Sequence, residues 1–330
     1  MKIGFTYDLK EQYIAEGLDP VMAAEFDKPE TIDAIEHAIA RLGHQVDRIG
    51  KLDRLVARLA AGERWDLVFN IAEGLYGPGR ESQIPALLEG YEIPCTFGDS
   101  LCLALCLHKG YCKQIVRAHR LPTPSFVVVD DGRFEYNDVS LVYPLFAKPV
   151  AEGTGKGVST RCKVMNPDEL RSVCRDLMQR FRQPVLVEEF LPGREFTVGI
   201  LGTGAEARVL GVMEVTLLDN AEPEVYSYDN KDNYEDRVEY NLAGLDPESR
   251  EAAEIALAAY RVLGCRDAGR VDLRSDAAGI PQFMEINPLA GLNPQHSDLP
   301  ILCRLLGIGF DQLIADILAS ARKRARHGRT

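Results

Sequence analysis

Three stretches of the chain put reactive residue types at spacings that suit phosphate chemistry. The first is Leu145-Phe146-Ala147-Lys148-Pro149-Val150-Ala151-Glu152-Gly153-Thr154-Gly155-Lys156-Gly157-Val158. An apolar run delivers a lysine, and a loop with three glycines and a hydroxyl follows. Glycines let backbone N–H groups turn inward and approach phosphate oxygens. Lys148, at the strand end, would bring a cation to the same oxygens. The loop is not a Walker A loop, because no G-K-[ST] opens a helix after it. By itself the stretch also fits a glycine hairpin with a surface lysine.

The second stretch pairs Gly269-Arg270-Val271-Asp272-Leu273 with Phe283-Met284-Glu285-Ile286-Asn287. Both have strand patterns, joined through a turn at Gly279. If they lie antiparallel, Asp272, Glu285 and Asn287 come together, and Glu285 and Asn287 share a sheet face because they are two apart. Two carboxylates and an amide oxygen suit Mg²⁺, which also takes phosphate oxygens. Arg270 faces the same side and could stabilise charge on a transferring phosphoryl group. A solvated polar face on an edge hairpin explains acids on the inward face of apolar strands poorly. The third stretch, Val185-Leu186-Val187-Glu188-Glu189-Phe190-Leu191-Pro192-Gly193-Arg194-Glu195-Phe196, ends an apolar strand in acids and a turn. It would suit a hinge whose backbone reads adenine and whose Glu195 holds ribose hydroxyls, although acids at strand ends are commonplace.

Strand and helix patterns alternate in the first third: strands over 3–7, 45–49, 66–71 and 95–97, helices over 31–42 and 82–88. Such alternation predicts a parallel sheet with helices on its faces, and ligands bind at the loops after its strands. A long helix is expected from Leu101 to His119, and Pro122 and Pro124 then make a domain joint. Strands over 126–129, 145–148, 158–164 and 185–190 and a helix opened by Asn166-Pro167 form a small mixed unit. Strands over 194–201 and 208–217 follow, then a polar stretch from Asp219 to Arg237. Long stretches without helix or strand patterns are often functional. A helix over 247–263, the two acid-bearing strands and two helices close the chain. The division read from this is 1–120, 121–193 and 194–330.

The chain has 330 residues and a net charge of −12, too long for one ordinary core and repellent to nucleic acid and anionic lipid. Basic residues 322–326 read as cations at a helix C-terminus. None of the eight cysteines forms a C-x-x-C pair or a zinc-type spacing with histidine, so buried free thiols in a reducing cytosol explain them. The start of the chain runs straight into a strand, with no signal peptide pattern, and no apolar run approaches the ~20 residues of a membrane helix. The expected location is cytoplasmic.

Taken together, the three stretches resemble the ATP-grasp superfamily, and within it the D-alanine–D-alanine ligase family. The resemblance implies an α/β ATP-grasp fold, in which an N-terminal parallel-sheet unit is followed by two α+β units clamping ATP. It implies that Lys109 and Lys148 contact the α- and β-phosphates and that Gly153 to Gly157, with Glu152, Thr154 and Gly155, close over them. Glu188, Glu189, Phe190 and Leu191 would line the adenine pocket, with Glu195 on the ribose. Asp272, Glu285 and Asn287 would hold two Mg²⁺, with Mn²⁺ as a substitute. Lys231 matches the omega-loop lysine that reaches the γ-phosphate. Arg270 would stabilise the acyl phosphate and the tetrahedral intermediate, and Gly291 matches part of the oxyanion and carboxylate site. The implied substrates are two amino acids joined by a peptide bond, and the implied assembly is the family's usual homodimer.

The chain departs from the family pattern on the substrate side. Asp232 follows Lys231 where the family has tyrosine, and Thr154 and Gly155 replace two serines. Glu73 replaces a histidine; it either recognises substrate or pairs with Arg80. After Gly291 the run Leu292-Asn293-Pro294-Gln295-His296-Ser297 is one residue out of register, with His296 and Ser297 on the substrate side. The acid that orients the first ammonium is expected at Glu25, with Glu30 as the alternative. His108, beside Lys109, reads as a packing or solvent-exposed residue. The expected chemistry is therefore ATP-dependent ligation of amino acids, with the choice of amino acids, or of a hydroxy acid, left open. Keeping Arg270 with the three metal residues argues against a nucleotide-binding regulator that has lost catalysis.

Overall fold

A computed structural model describes residues 1–130, 140–222, 224–225, 230 and 234–327 of the chain. Three sheets organise it. The first is parallel, in the order β2-β1-β3, with β1 at Lys2–Thr6, β2 at Gln45–Gly50 and β3 at Leu67–Asn70. Its apolar alternation buries Ile3, Phe5, Leu67 and Phe69 completely or nearly so. Helix α1 (Lys10–Ala15) was not legible from periodicity, being under two turns long. Helix α2 (Pro29–Arg41) has proline in its first turn, and Gly43 just beyond it has a positive φ of 81°, as a left-handed C-terminal residue requires. Helix α3 (Leu52–Ala60) buries Leu55 and Leu59, and α4 (Gln83–Gly90) follows a short 3₁₀ turn at Arg80–Ser82. The strand expected over 95–97 reduces to a single bridge from Cys95 to Val68.

The long helix expected over 101–119 is two helices, α5 (Ser100–Leu107) and α6 (Lys109–Ala118). His108 breaks it. Its ψ of 89° is not helical, and its Nδ1 accepts a hydrogen bond from the Tyr111 N–H at 3.1 Å, which caps α6. The break puts Lys109 at the first position of α6.

The second sheet is antiparallel, in the order β4-β7-β5-β6, from β4 (Phe126–Val129), β5 (Leu145–Pro149), β6 (Lys163–Val164) and β7 (Val185–Glu189). Helix α7 (Pro167–Phe181) covers it, capped by Asn166, whose side chain accepts from the Glu169 N–H. The strand expected over 158–164 survives only as β6. Gly157 turns the chain with φ of 77°, and a 3₁₀ turn at Thr160–Cys162 occupies the rest.

The third sheet is antiparallel, in the order β10-β9-β8-β11-β12. It comprises β8 (Glu195–Leu201), β9 (Arg208–Leu217), β10 (Val238–Leu242), β11 (Ala268–Ser275) and β12 (Pro281–Asn287). The short helix α8 (Tyr234–Arg237) ends the polar stretch, where no helix was expected. Helix α9 (Pro247–Val262) packs on the sheet, and α10 (Asp298–Leu305) and α11 (Phe310–His327) close the chain. Ile314, Ile317 and Leu318 of α11 share one core with Ile3, Phe5 and Phe69, so the chain's end returns to the first sheet. Arg324 there holds Asp267 at 2.5 Å, a structural use of the basic terminus. Among the described residues, no helix is long and apolar enough to cross a membrane.

Candidate active site

Strands β11 and β12 pair antiparallel with Arg270 opposite Asn287 and Asp272 opposite Glu285. The two-residue period then puts all four side chains on one face, as expected. Asp272 accepts hydrogen bonds from Thr197 Oγ1 at 2.9 Å, Asn287 Nδ2 at 3.3 Å and an Arg270 guanidinium nitrogen at 2.6 Å. The same Arg270 nitrogen lies 2.8 Å from Asp298, the first residue of α10. Lys109 reaches Glu285 at 3.5 Å and donates to the Glu152 carbonyl at 2.6 Å. The donor set is two carboxylates and an amide oxygen on adjacent strands, which fits a hard cation that also takes phosphate oxygens.

This face separates two cavities. A cavity of about 100 Å³ lies between the second and third sheets, lined by Phe146, Lys148, Gly155, Glu189, Phe190, Leu191, Glu195, Asp272 and Met284. Phe146 and Phe190 give it apolar walls, with ring centroids 6.4 Å apart. The carboxylate of Glu188 turns into the protein, 2.8 Å from Lys148 and 2.9 Å from Lys113. Burial alone would raise the Glu188 carboxyl, but the two ammonium groups outweigh it and hold its pKa below the ordinary value. Glu188 therefore positions Lys148, and it lines this cavity together with Glu189. Lys113, a turn along α6 from Lys109, is the member of this set that sequence reading missed; it looked like an ordinary helix lysine. Glu195 lies 3.6 Å from Arg274.

The glycine loop is folded down over the border between the cavities. The Lys156 N–H donates to the Gly153 carbonyl and the Val158 N–H to the Gly155 carbonyl, both at 2.9 Å, with Thr154, Gly155 and Gly157 all at positive φ. A side chain at Gly157 would meet Pro149 and Phe181 at 2.7–2.8 Å. The Gly153 N–H donates to Glu25, and Lys156 Nζ sits 2.9 Å from Glu25 and 2.5 Å from Glu152.

The second cavity, about 540 Å³, opens on the other side of the acid face, lined by Glu25, Asp27, Glu73, Glu81, Thr154, Arg270, Gly291, His296, Ser297 and Asp298. Glu25 is engaged by Arg80 at 3.0 Å as well as by Lys156. Glu30 is exposed in the first turn of α2. Asp27, two residues beyond Glu25, also faces the cavity; burial and the neighbouring Asp8 push its carboxyl up to about 7. Arg80 donates its other terminal N–H to the Ala151 carbonyl at 2.7 Å, and no ion pair to Glu73 occurs among the described residues. The expected alternative of a Glu73–Arg80 pair is thus not formed. Burial, Glu81 and Glu25 raise the Glu73 carboxyl well above its ordinary value, and burial likewise takes Glu81 to about 7. Ser297 Oγ accepts from the Asn293 N–H at 3.0 Å, and His296 is exposed at the rim. Lys231 and Asp232 lie outside the described residues. Before them, Val225 lines the smaller cavity and Glu224 bonds Lys163 at 2.7 Å. Asp27 and Asp298 are not distinguished by the sequence from other acids near Glu25 and Ser297; only the fold places them at the cavity.

The profile of the D-ala D-ala ligase C-terminus family matches residues 115–319. The chain is 34% identical over 269 residues to a D-alanine–D-alanine ligase of Cupriavidus taiwanensis, covering 81% of this chain and 78% of that one. It is 33% identical over 296 residues to the Alcanivorax borkumensis enzyme of the same name, covering 89% and 88%. A crystal structure of the Bacillus anthracis D-alanine–D-alanine ligase complexed with ATP superposes with a TM-score of 0.76 over 99% of both chains, at 21% identity. The fold is ATP-grasp. The three stretches that carry Lys148, Glu188 and the Arg270–Asn287 face all fall within the matched residues, and the chain belongs to the D-alanine–D-alanine ligase family.

Proposed function

We propose that the protein is an ATP-dependent ligase that joins two D-alanine molecules through an acyl phosphate, as the names of its relatives suggest. The observation that carries this reading is the convergence of Arg270, Asp272, Glu285 and Asn287 on the wall between the two cavities. In this reading ATP occupies the cavity at Phe146 and Phe190, with Lys109 and Lys148 on its phosphates and the glycine loop above them. Asp272, Glu285 and Asn287 would hold two Mg²⁺, which supply charge neutralisation at the phosphates. The first amino acid lies in the larger cavity, and its carboxylate oxygen attacks the γ-phosphorus, releasing ADP. The amine of the second then attacks the acyl carbon, and phosphate leaves with the oxygen it gained. Arg270 faces both steps as a fixed guanidinium, and its positive charge favours the developing oxyanion. The chemistry needs positioning and charge stabilisation more than covalent help from the protein.

The same reading assigns Lys231 to the γ-phosphate, Gly291 and Ser297 to the acceptor's carboxylate region and Thr154 to the closing loop. It places the reaction in the cytoplasm, in the supply of cell-wall precursors, with a homodimer as the working assembly. The deciding experiment measures ADP release with Mg²⁺ and ATP across a panel of D- and L-amino acids, with products identified by mass. D-alanine as the best substrate, giving the dipeptide, supports the reading; a different preferred pair with equal ADP release would keep the chemistry and replace the substrate.

A further inference from the structure

Spacing along the sequence gives no metal motif, yet the fold gathers cysteines from distant segments. Cys102 and Cys106 are one turn apart on α5, so their thiols share a face. Cys265 comes from the connection between α9 and β11. The three Sγ atoms lie within 4.8 Å of one another, and Cys102 and Cys265 approach to 3.6 Å. Cys112 of α6 lies in hydrogen-bond reach of Cys106. A zinc-type ion takes thiolate sulfur at about 2.3 Å, which spaces the sulfurs of one site about 3.8–4.0 Å apart. The observed trio is already close to that spacing.

The surroundings favour such a use. The trio is buried, at 2%, 4% and 2% exposure, as in closed structural zinc sites. Cys106 also contributes to the wall of the larger cavity, which provides an entry path. Three thiolates on a divalent ion leave one negative charge. Arg266 pairs with the Asp99 carboxylate that caps α5 at Cys102, so these two charges beside the trio cancel and the site itself would carry the residual charge.

We propose that Cys102, Cys106 and Cys265 form a binding site for a thiophilic divalent cation of the zinc class, with Cys112 beside it as an additional sulfur. The ion would tie α5 to the lead-in of β11. That joins the helix pair carrying Lys109 to the strand carrying Arg270 and Asp272, so it would stiffen the wall between the cavities. The buried thiols must lose protons on loading, so affinity rises with pH.

The test titrates the reduced, chelator-treated full chain with Cd²⁺, whose thiolate complexes absorb in the ultraviolet through sulfur-to-metal charge transfer. One equivalent should saturate the band and raise the thermal midpoint, and Zn²⁺ should displace it. Cys106→Ser and Cys265→Ser should each lose the band, while Cys95→Ser and Cys303→Ser, remote from the trio, should keep it. Each substitution is also made to alanine, with folding checked by circular dichroism. Wild-type protein giving no band, or a band surviving in the folded Cys106/Cys265 double variant, overturns the site and leaves the trio as packed apolar thiols. Neither outcome depends on the ligase reaction.

Discussion

Lys156 of the glycine loop places its Nζ 2.9 Å from Glu25, 131 residues earlier in the chain. Glu25 also takes the guanidinium of Arg80 and the N–H of Gly153. Burial opposes a charge on Glu25, but Arg80 and Lys156 together hold its pKa below the ordinary value. The glycine loop is thus latched to the wall of the larger cavity. Breaking one partner of a buried pair commonly costs about 3–5 kcal/mol, and Glu25 keeps Arg80, so the effect should fall short of that. Lys156→Met should raise the KM for ATP roughly tenfold, about 1.4 kcal/mol, and expose residues 153–157 to proteolysis. An unchanged KM with an uncut loop would refute the latch.

Asp272→Asn and Glu285→Gln should keep the fold and lower turnover by about 10²–10³-fold, the usual cost of one charge-stabilising group. The two residues sit opposite each other across β11 and β12. Steady-state ADP release at ordinary Mg²⁺ gives the answer, and near-wild-type rates in either variant would remove the metal assignment.

Arg270 is held between Asp272 at 2.6 Å and Asp298 at 2.8 Å. Loss of Asp298 frees one side of the guanidinium. Asp298→Ala should lower kcat about tenfold or more with the KM for ATP unchanged, and Asp298→Asn, which can still accept the Arg270 hydrogen bond, should recover part of it. Equal kinetics for the two variants would mean that Asp298 does not orient Arg270.

Glu81 is raised to about 7 in the folded chain, by burial first and by Glu25 among its neighbours. Unfolded, it titrates near the ordinary carboxylate value, so between those values the native state binds more protons. Stability then falls as pH rises from about 4.5 to 7 and levels off above. Glu81→Gln removes that contribution. The stability of wild type relative to Glu81→Gln, measured by urea denaturation, should decline across this window; a constant difference would contradict it.

Much of the site could be read from residue spacing. A strand period of two suffices to align Arg270, Asp272, Glu285 and Asn287 once the turn at Gly279 is recognised. The helix boundaries at Gly43 and Asn166 follow from capping chemistry. What could not be read depends on tertiary placement. Glu188 and Glu189 look equivalent in sequence, and only the burial of Lys113 and Lys148 on one side decides which one faces inward. The break at His108 rests on one histidine side chain capping a helix inside an otherwise continuous helical pattern. Nothing local to Glu25 reveals that Arg80 and Lys156, 55 and 131 residues away, converge on it. The cysteine trio escaped for the same reason.

The central claim is transfer through an acyl phosphate formed at the wall carrying Arg270. Its most direct test supplies the donor amino acid with heavy oxygen in both carboxylate positions and analyses the released phosphate by mass. One heavy oxygen should appear in the phosphate for each peptide bond formed, because the attacking oxygen leaves with the γ-phosphoryl group. Unlabelled phosphate alongside normal product formation would contradict it.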